Sequence, residues 1–305
     1  MELKKEIAGY LDYCEYQKKL SVNTLKAYTI DLEQFQRYSS AGAASEKRLI
    51  TDYITHLHKT CSPRSAKRKL ASIKAFYKHL EFEEIITDNP LQRIKTKFQE
   101  PQVLPRVISI TDIEKILTAA YSWRELSKTP HAMHAAQRNV AALELLFATG
   151  MRVSELCSLT AADVNLSSGR IRIVGKGSKE RLHHVGNDEV LESLKAYRDI
   201  LQGHQRDCEH FFINRLGQRF SEQSVRFMIR RLYRQAGITT HITPHMFRHS
   251  FATLLLEADV DIRYIQSMLG HSSIRTTQIY TKVTAEKQRQ ILESKHPRNG
   301  FSFGK

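Results

Sequence analysis

Acidic side chains are scarce in this 305-residue sequence: 32 Asp and Glu face 47 Lys and Arg, a net charge of +15 with histidine neutral. A surplus of that size argues for a polyanionic partner, nucleic acid ahead of an anionic membrane surface. Long apolar runs are missing too. None approaches the roughly 18 residues that a bilayer-spanning helix needs, which excludes an integral membrane protein of that kind. The opening Met1-Glu-Leu-Lys-Lys-Glu-Ile7 has no apolar core and no small-residue cleavage site, so no secretory leader is expected. There are only four cysteines, Cys14, Cys61, Cys157 and Cys208, far apart and without a Cys-x-x-Cys pair. That pattern offers neither a disulfide framework nor a zinc site, and the thiols are expected to be reduced and mostly buried. Neither a Gly-x-x-x-x-Gly-Lys-Ser/Thr loop nor an acidic cluster occurs, so no nucleotide cofactor and no metal are expected.

The length exceeds the about 100 to 200 residues of one domain, and two cores are expected. The first hundred residues read as a small helical bundle. Ser21 is placed to cap a helix carrying Leu25, Tyr28, Leu32 and Phe35 on one face, and Ile50, Tyr53, Ile54 and Leu57 mark a second. After Ser62-Pro63, the stretch Arg64 to Leu80 has no acidic residue. Leu70, Ile73, Tyr77 and Leu80 share one face there, and Lys67, Lys74 and Lys78 line another. Such a face suits DNA phosphates, and equally a solvated surface. Asp88-Asn-Pro90 breaks the helical pattern, and two prolines interrupt a stretch without period. The expected organisation is therefore residues 1–94, a linker at 95–106, and a second domain at 107–305.

In that second domain Thr111-x-x-Glu114 reads as a capping box opening a helix. Asn139 to Thr149 reads as an apolar helix stopped by Gly150, with Arg152 just beyond. Ser122 to Gln137, with Pro130 inside it, reads as a long connection ahead of that helix. Asp163–Leu166, Arg170–Val174 and Leu182–Val185 predict a three-stranded antiparallel sheet, with Lys176 between two glycines in its second turn. From Ser221 the pattern is helical again, with Arg226, Arg230 and Arg234 at four-residue spacing. The expected class is mostly α with a small antiparallel β-sheet.

His245-Met-Phe-Arg248 puts an imidazole and a guanidinium on one helix face, where both can converge on one anion. Leu269-Gly-His271 follows, then Ser273-Ile-Arg-Thr-Thr-Gln-Ile-Tyr280. Taken singly, His-x-x-Arg is also a common surface pair, and a tyrosine after isoleucine is also a core residue. Taken in order with Gly150-x-Arg-x-x-Glu155 and Gly175-Lys-Gly177, the set resembles the tyrosine site-specific recombinases (phage integrase family), most closely the Xer-like members. The resemblance spans nearly the whole chain: Ser21-Val-Asn-Thr-Leu-Lys-Ala-Tyr28 is similar to the start of the family's N-terminal core-binding domain, which is SAM-like, and Lys295-His-Pro-Arg298 to the close of Xer-like proteins.

By position the resemblance implies catalytic roles for Arg152, Lys176, His245, Arg248, His271 and Tyr280, with Glu155 in support. The chemistry is coherent. A phenol with a pKa near about 10 can attack a phosphodiester and leave again, forming a 3′-phosphotyrosine. Arginine forks hold the charge on the non-bridging oxygens. Lys176 is the expected general acid, with His245 assisting the tyrosine proton and His271 donating to the phosphate. The covalent bond conserves the energy of the broken one, so no cofactor is implied. The implied partners are a double-stranded DNA site, three further copies in a tetramer on two sites or a paired second recombinase, and a DNA translocase. The two domains are expected to clamp each half-site. Arg64, Lys67, Lys74, Lys78, Arg226 and Arg230 are the candidate DNA contacts. The amphipathic Thr284–Ser294 reads equally as docking on a neighbouring protomer or as an intramolecular helix.

Chromosome or plasmid dimer resolution is the expected role, in the cytoplasm on the nucleoid. The alternatives are a mobile-element integrase, a type IB topoisomerase and a non-catalytic DNA-binding protein. About twenty residues precede Ser21, too few for the extra arm-binding domain of many integrases, while the long Ser122–Gln137 connection departs from a strict Xer pattern.

Overall fold

The computed structural model describes residues 3–39, 46–92, 94, 106–175, 180–202 and 208–270. Lys176, His271, Tyr280, the amphipathic stretch Thr284–Ser294, the Lys295–Arg298 close and nearly all of the expected linker lie outside those residues. The chain divides into two compact units, Met1–Gln102 and Val103–Lys305.

The first unit is helical: α1 (Leu3–Asp12) passes into a π-helical turn (Tyr13–Gln17), followed by α2 (Val22–Ser39), α3 (Glu46–Thr60) and α4 (Pro63–Phe82). Ser21 Oγ accepts the Thr24 N–H at 3.3 Å. Ser62 Oγ accepts the Ser65 N–H at 3.4 Å, with Pro63 in the first turn, where its missing N–H costs nothing. The expected apolar faces meet in one core of Leu32, Phe35, Ile50, Tyr53, Leu57, Leu70, Ile73, Phe76, Tyr77 and Leu80. One feature breaks the apolar pattern. Asp31, fully buried on α2, accepts from Ser72 Oγ at 2.8 Å and from Arg68, both on α4, while Lys69 bonds Gln34. Arg68, from the basic run of α4, thus pairs with one oxygen, Oδ2, of a buried carboxylate whose Oδ1 has no hydrogen-bond partner among the described residues.

In the second unit α5 (Ile110–Leu126) and α6 (Pro130–Thr149) precede the short α7 (Val153–Ser158). Strands β1 (Val164–Asn165), β2 (Arg170–Val174) and β3 (Glu180–His184) form an antiparallel sheet in that order, with Ile171 opposite His183 and Ile173 opposite Arg181. Helices α8 (Asp188–Gln202), α9 (Glu222–Gln235), α10 (Pro244–Glu257) and α11 (Ile262–Leu269) follow. The apolar α6 is the axis of the unit, packed by α5, α8 and α10.

Two expectations are corrected. Ser109, not Thr111, caps α5: its Oγ accepts the Asp112 N–H at 3.1 Å, and Thr111 lies inside the first turn. The chain turns there because buried Ile108 is anchored by its N–H to Ser250 Oγ at 2.8 Å. Ser122–Gln137 is no long connection either. It is the end of α5, the residues 127–129, and the first two turns of α6, with Thr129 Oγ1 capping the Ala132 N–H at 3.2 Å and Pro130 next in line. Gln137 is buried and donates to Ser193 O at 2.8 Å. Cys14 and Cys157 are buried, and Cys61 and Cys208 half-buried, all as free thiols.

Candidate active site

The site forms where α6, α10, α11 and β3 meet. Gly150 ends α6 in the left-handed region (φ 58), and a Cβ there would lie 2.6 Å from the Phe251 ring of α10 and 3.1 Å from Leu269 of α11. Only glycine fits that turn on both counts. The next turn delivers Arg152 to the start of α7, where the Glu155 carboxylate accepts the Arg152 N–H and its Nη1, each at 2.8 Å. One guanidinium edge is thereby fixed while 36% of the Arg152 side chain stays exposed. Arg248, 4% exposed, donates Nη1 to Gly150 O at 3.0 Å and Nη2 to Leu269 O at 2.6 Å. Both acceptors are carbonyls at helix C-termini, where the helix dipole favours a cation.

His245 stands in the first turn of α10, exposed. Desolvation lowers its pKa first, then the charges of Arg248, Arg152 and Arg226, with Glu222 opposing. His245 lies one helical turn from Arg248, and the charges of Arg152 and of Arg226 on α9 are felt at its ring. The Glu155 carboxyl feels opposed effects. Burial raises it, but the hydrogen bonds and charges of Arg181 and Arg152 outweigh burial and hold it below the usual carboxylate range. Of the residues singled out from sequence, Arg152, Glu155, His245 and Arg248 are therefore brought together. Lys176, His271 and Tyr280 lie outside the described residues, although the strand ends that flank Lys176 and the helix that leads to His271 are part of the site.

Two inward-facing residues were missed. Arg181 donates Nη1 and Nη2 to Glu155 at 3.1 and 2.7 Å and Nε to Met268 O at 2.9 Å. His183 is buried beside Phe251, without a hydrogen-bond partner among the described residues. On β3 Arg181 and His183 face in while Leu182 is 72% exposed, the reverse of the usual strand pattern. The cross-strand partners Ile173 and Ile171 were the available signal.

The candidate DNA contacts divide between the units. On α4, Arg64, Lys67, Lys74 and Lys78 are exposed. On α9, Arg226 and Arg230 are exposed, Arg226 paired with Glu222 at 2.8 Å, and Phe227, 58% exposed, stands among them.

A family model described as phage integrase family matches residues 109–287, and one described as phage integrase, N-terminal SAM-like domain, matches residues 7–84. A tyrosine recombinase of Agathobacter rectalis is 48% identical over 99% of both chains. The chain belongs to the phage integrase family. It is a tyrosine recombinase, an enzyme of site-specific DNA cleavage and rejoining, most similar to the Xer-like ones. Tyrosine recombinase XerD of Listeria innocua is 35% identical, covering 96% of this chain and 98% of its own, and XerC of Bacillus pumilus 33%, covering 95% of each. The solved XerA recombinase is 28% identical with TM-score 0.55, covering 97% of this chain and all of its own. XerH bound to palindromic difH shares the fold at TM-score 0.76 and 21% identity, over 92% and 82% of the two chains.

Proposed function

We propose that this recombinase acts as a resolvase of chromosome or plasmid dimers, cutting and rejoining a DNA site through a 3′-phosphotyrosine at Tyr280. The observation that carries the chemistry is the grouping of half-buried Arg152 and exposed His245 around buried Arg248 at the Gly150 turn. Two guanidinium groups already immobilised by Glu155 and by helix-end carbonyls lose little on binding a phosphate, so their charge is organised before the reaction. The lowered pKa of His245 leaves it neutral near pH 7, able to accept the proton that Tyr280 gives up as it attacks. Lys176 protonates the departing 5′ oxygen, and His271 donates to a non-bridging oxygen. No hydrolysis occurs, so the phosphotyrosine bond keeps the energy needed for resealing.

In this reading residues 1–94 and 107–305 are the core-binding and catalytic domains, joined by 95–106, and both contact DNA through the basic faces of α4 and α9. Lambda integrase bound to a Holliday junction is described as a tetramer. Four copies, or two each with a paired recombinase, on two sites are the assembly proposed here, acting on the nucleoid in the cytoplasm with a DNA translocase to bring sites together. Among the described residues no helix is long and apolar enough to cross a membrane. The test is mass spectrometry of nuclease-trimmed, denatured protein after incubation with DNA. A nucleotide adduct on the peptide holding Tyr280 is expected, and an adduct on another residue would contradict the assignment.

A further inference from the structure

Each oxygen of the buried Glu155 carboxylate accepts two hydrogen bonds, and Arg181 supplies one to each: Nη1 to Oε1 at 3.1 Å and Nη2 to Oε2 at 2.7 Å. Arg152 supplies the other two. A third Arg181 donor, Nε, ends on Met268 O in the last turn of α11 at 2.9 Å. With its side chain only 11% exposed, Arg181 commits three of its five N–H donors to protein acceptors. Gly270 makes room for it: a Cβ there would stand 3.2 Å from Arg181 Cδ and Nη1, at a backbone φ of 62. Three segments therefore close on one guanidinium. They are β3, five residues beyond Lys176, the Gly150–Glu155 turn that presents Arg152, and the end of α11 just before His271.

We propose that Arg181 is a positioning residue for DNA cleavage: it touches no DNA, and its fork fixes Arg152, through Glu155, relative to the strand that follows Lys176 and to the helix that leads to His271. This rests on the reading of Arg152 as a phosphate ligand. A lysine could supply the charge but not the planar geometry that spans both carboxylate oxygens and reaches a third acceptor.

The charged groups facing Glu155 are Arg181 from β3 and Arg152 from its own turn. From α11 the contact is the Met268 carbonyl, and the described bonds of Arg248 from α10 go to Gly150 O and Leu269 O. His183, further along β3, is held to a pKa of about 4 by burial first and the Arg181 charge second, so it stays neutral through the working range. Without Arg181, burial dominates at Glu155, its carboxyl rises, and protonation on the acid side weakens the grip on Arg152. The acid limb of the rate profile therefore moves to higher pH.

The experiment uses full-length protein and a duplex carrying the protein's own site, nicked so that the covalent adduct is trapped. Single-turnover adduct formation is followed from about pH 5 to 9 for wild type, Arg181→Gln, Arg181→Lys, Glu155→Gln and the variant combining Glu155→Gln with Arg181→Gln, with DNA affinity by fluorescence anisotropy. Arg181→Gln is expected to slow the reaction about 100-fold, as loss of oriented electrostatics does, with affinity within about threefold and the acid limb displaced upward. Arg181→Lys restores much of the acid limb but not the rate. In Glu155→Gln, adding Arg181→Gln displaces no limb. Wild-type rates and limbs in both Arg181 variants would overturn the proposal, as would a rate loss matched by affinity loss with an unmoved limb. Should Arg181→Gln fail to fold, Arg181→Lys decides alone by the same split of rate against affinity. A wild type that forms no adduct overturns the underlying assignment, whereas an active wild type with unaffected variants overturns only the positioning role.

Discussion

At the scale of single residues the site is held by forked cations. Arg248 is buried on two helix-end carbonyls, so Arg248→Lys is expected to fail where charge alone would suffice: adduct formation falls by about 10² to 10³, and stability falls by about 1 to 3 kcal/mol as a buried carbonyl loses its partner. Rates on trapped substrate and denaturant melts measure both, and a lysine variant with wild-type rate would contradict the fork. His183 makes a second prediction. Its folded pKa of about 4 lies below the ordinary 6.5, so its full contribution is present above about pH 6.5 and drains as the pH falls toward 4, because the unfolded ring takes up the proton first. The linked loss is about 3 kcal/mol, and His183→Phe should flatten stability over that interval; a wild-type curve as flat as the variant's would refute it. Arg152, Glu155, His245 and Arg248 were legible because the family pattern fixes them at short spacings. Arg181 and His183 were not, because a strand that points arginine and histidine inward and leucine outward reads by periodicity as facing the other way.

At the scale of elements, caps decide where helices begin. Ser109→Ala should cost about 1 kcal/mol in thermal or urea melts, and Thr111→Ala no more than a few tenths; the opposite ranking would restore Thr111 as the cap. The basic faces give a second expectation. If Lys67, Lys74 and Lys78 each contact a phosphate, replacing all three by Gln makes the slope of log affinity against log salt shallower by about 2.7, at about 0.9 per contact. An unchanged slope would return them to the role of a solvated face. Helices with a cap and an apolar stripe, such as α2, α4 and α9, were legible in outline. Helix α8 was overlooked although Val190, Leu194, Tyr197 and Leu201 mark its stripe, and α6 was read short because Pro130, which suits a first helical turn, also reads as a breaker. The bonds of Arg68 and Lys69 were hidden for a different reason: their partners, Asp31 and Gln34, lie on another helix, and no local pattern links them.

At the scale of the whole molecule, the proposed reaction stores its energy in a protein–DNA bond. Adduct formation is therefore expected to persist with a chelator present and no nucleotide added; a strict requirement for a divalent ion in the chemical step would contradict that account. The +15 charge and the two basic faces argue for DNA as the partner, while the proposed assembly of several copies on two sites would be encoded only in part by the residues of one chain. The most direct measurement is to incubate the protein with sheared DNA from its own source, denature it, recover the covalently attached DNA and sequence its ends, with Tyr280→Phe alongside. Ends at one discrete chromosomal locus or plasmid site, absent in the variant, are the predicted result. Ends scattered without sequence preference, or adducts that survive in Tyr280→Phe, would contradict it.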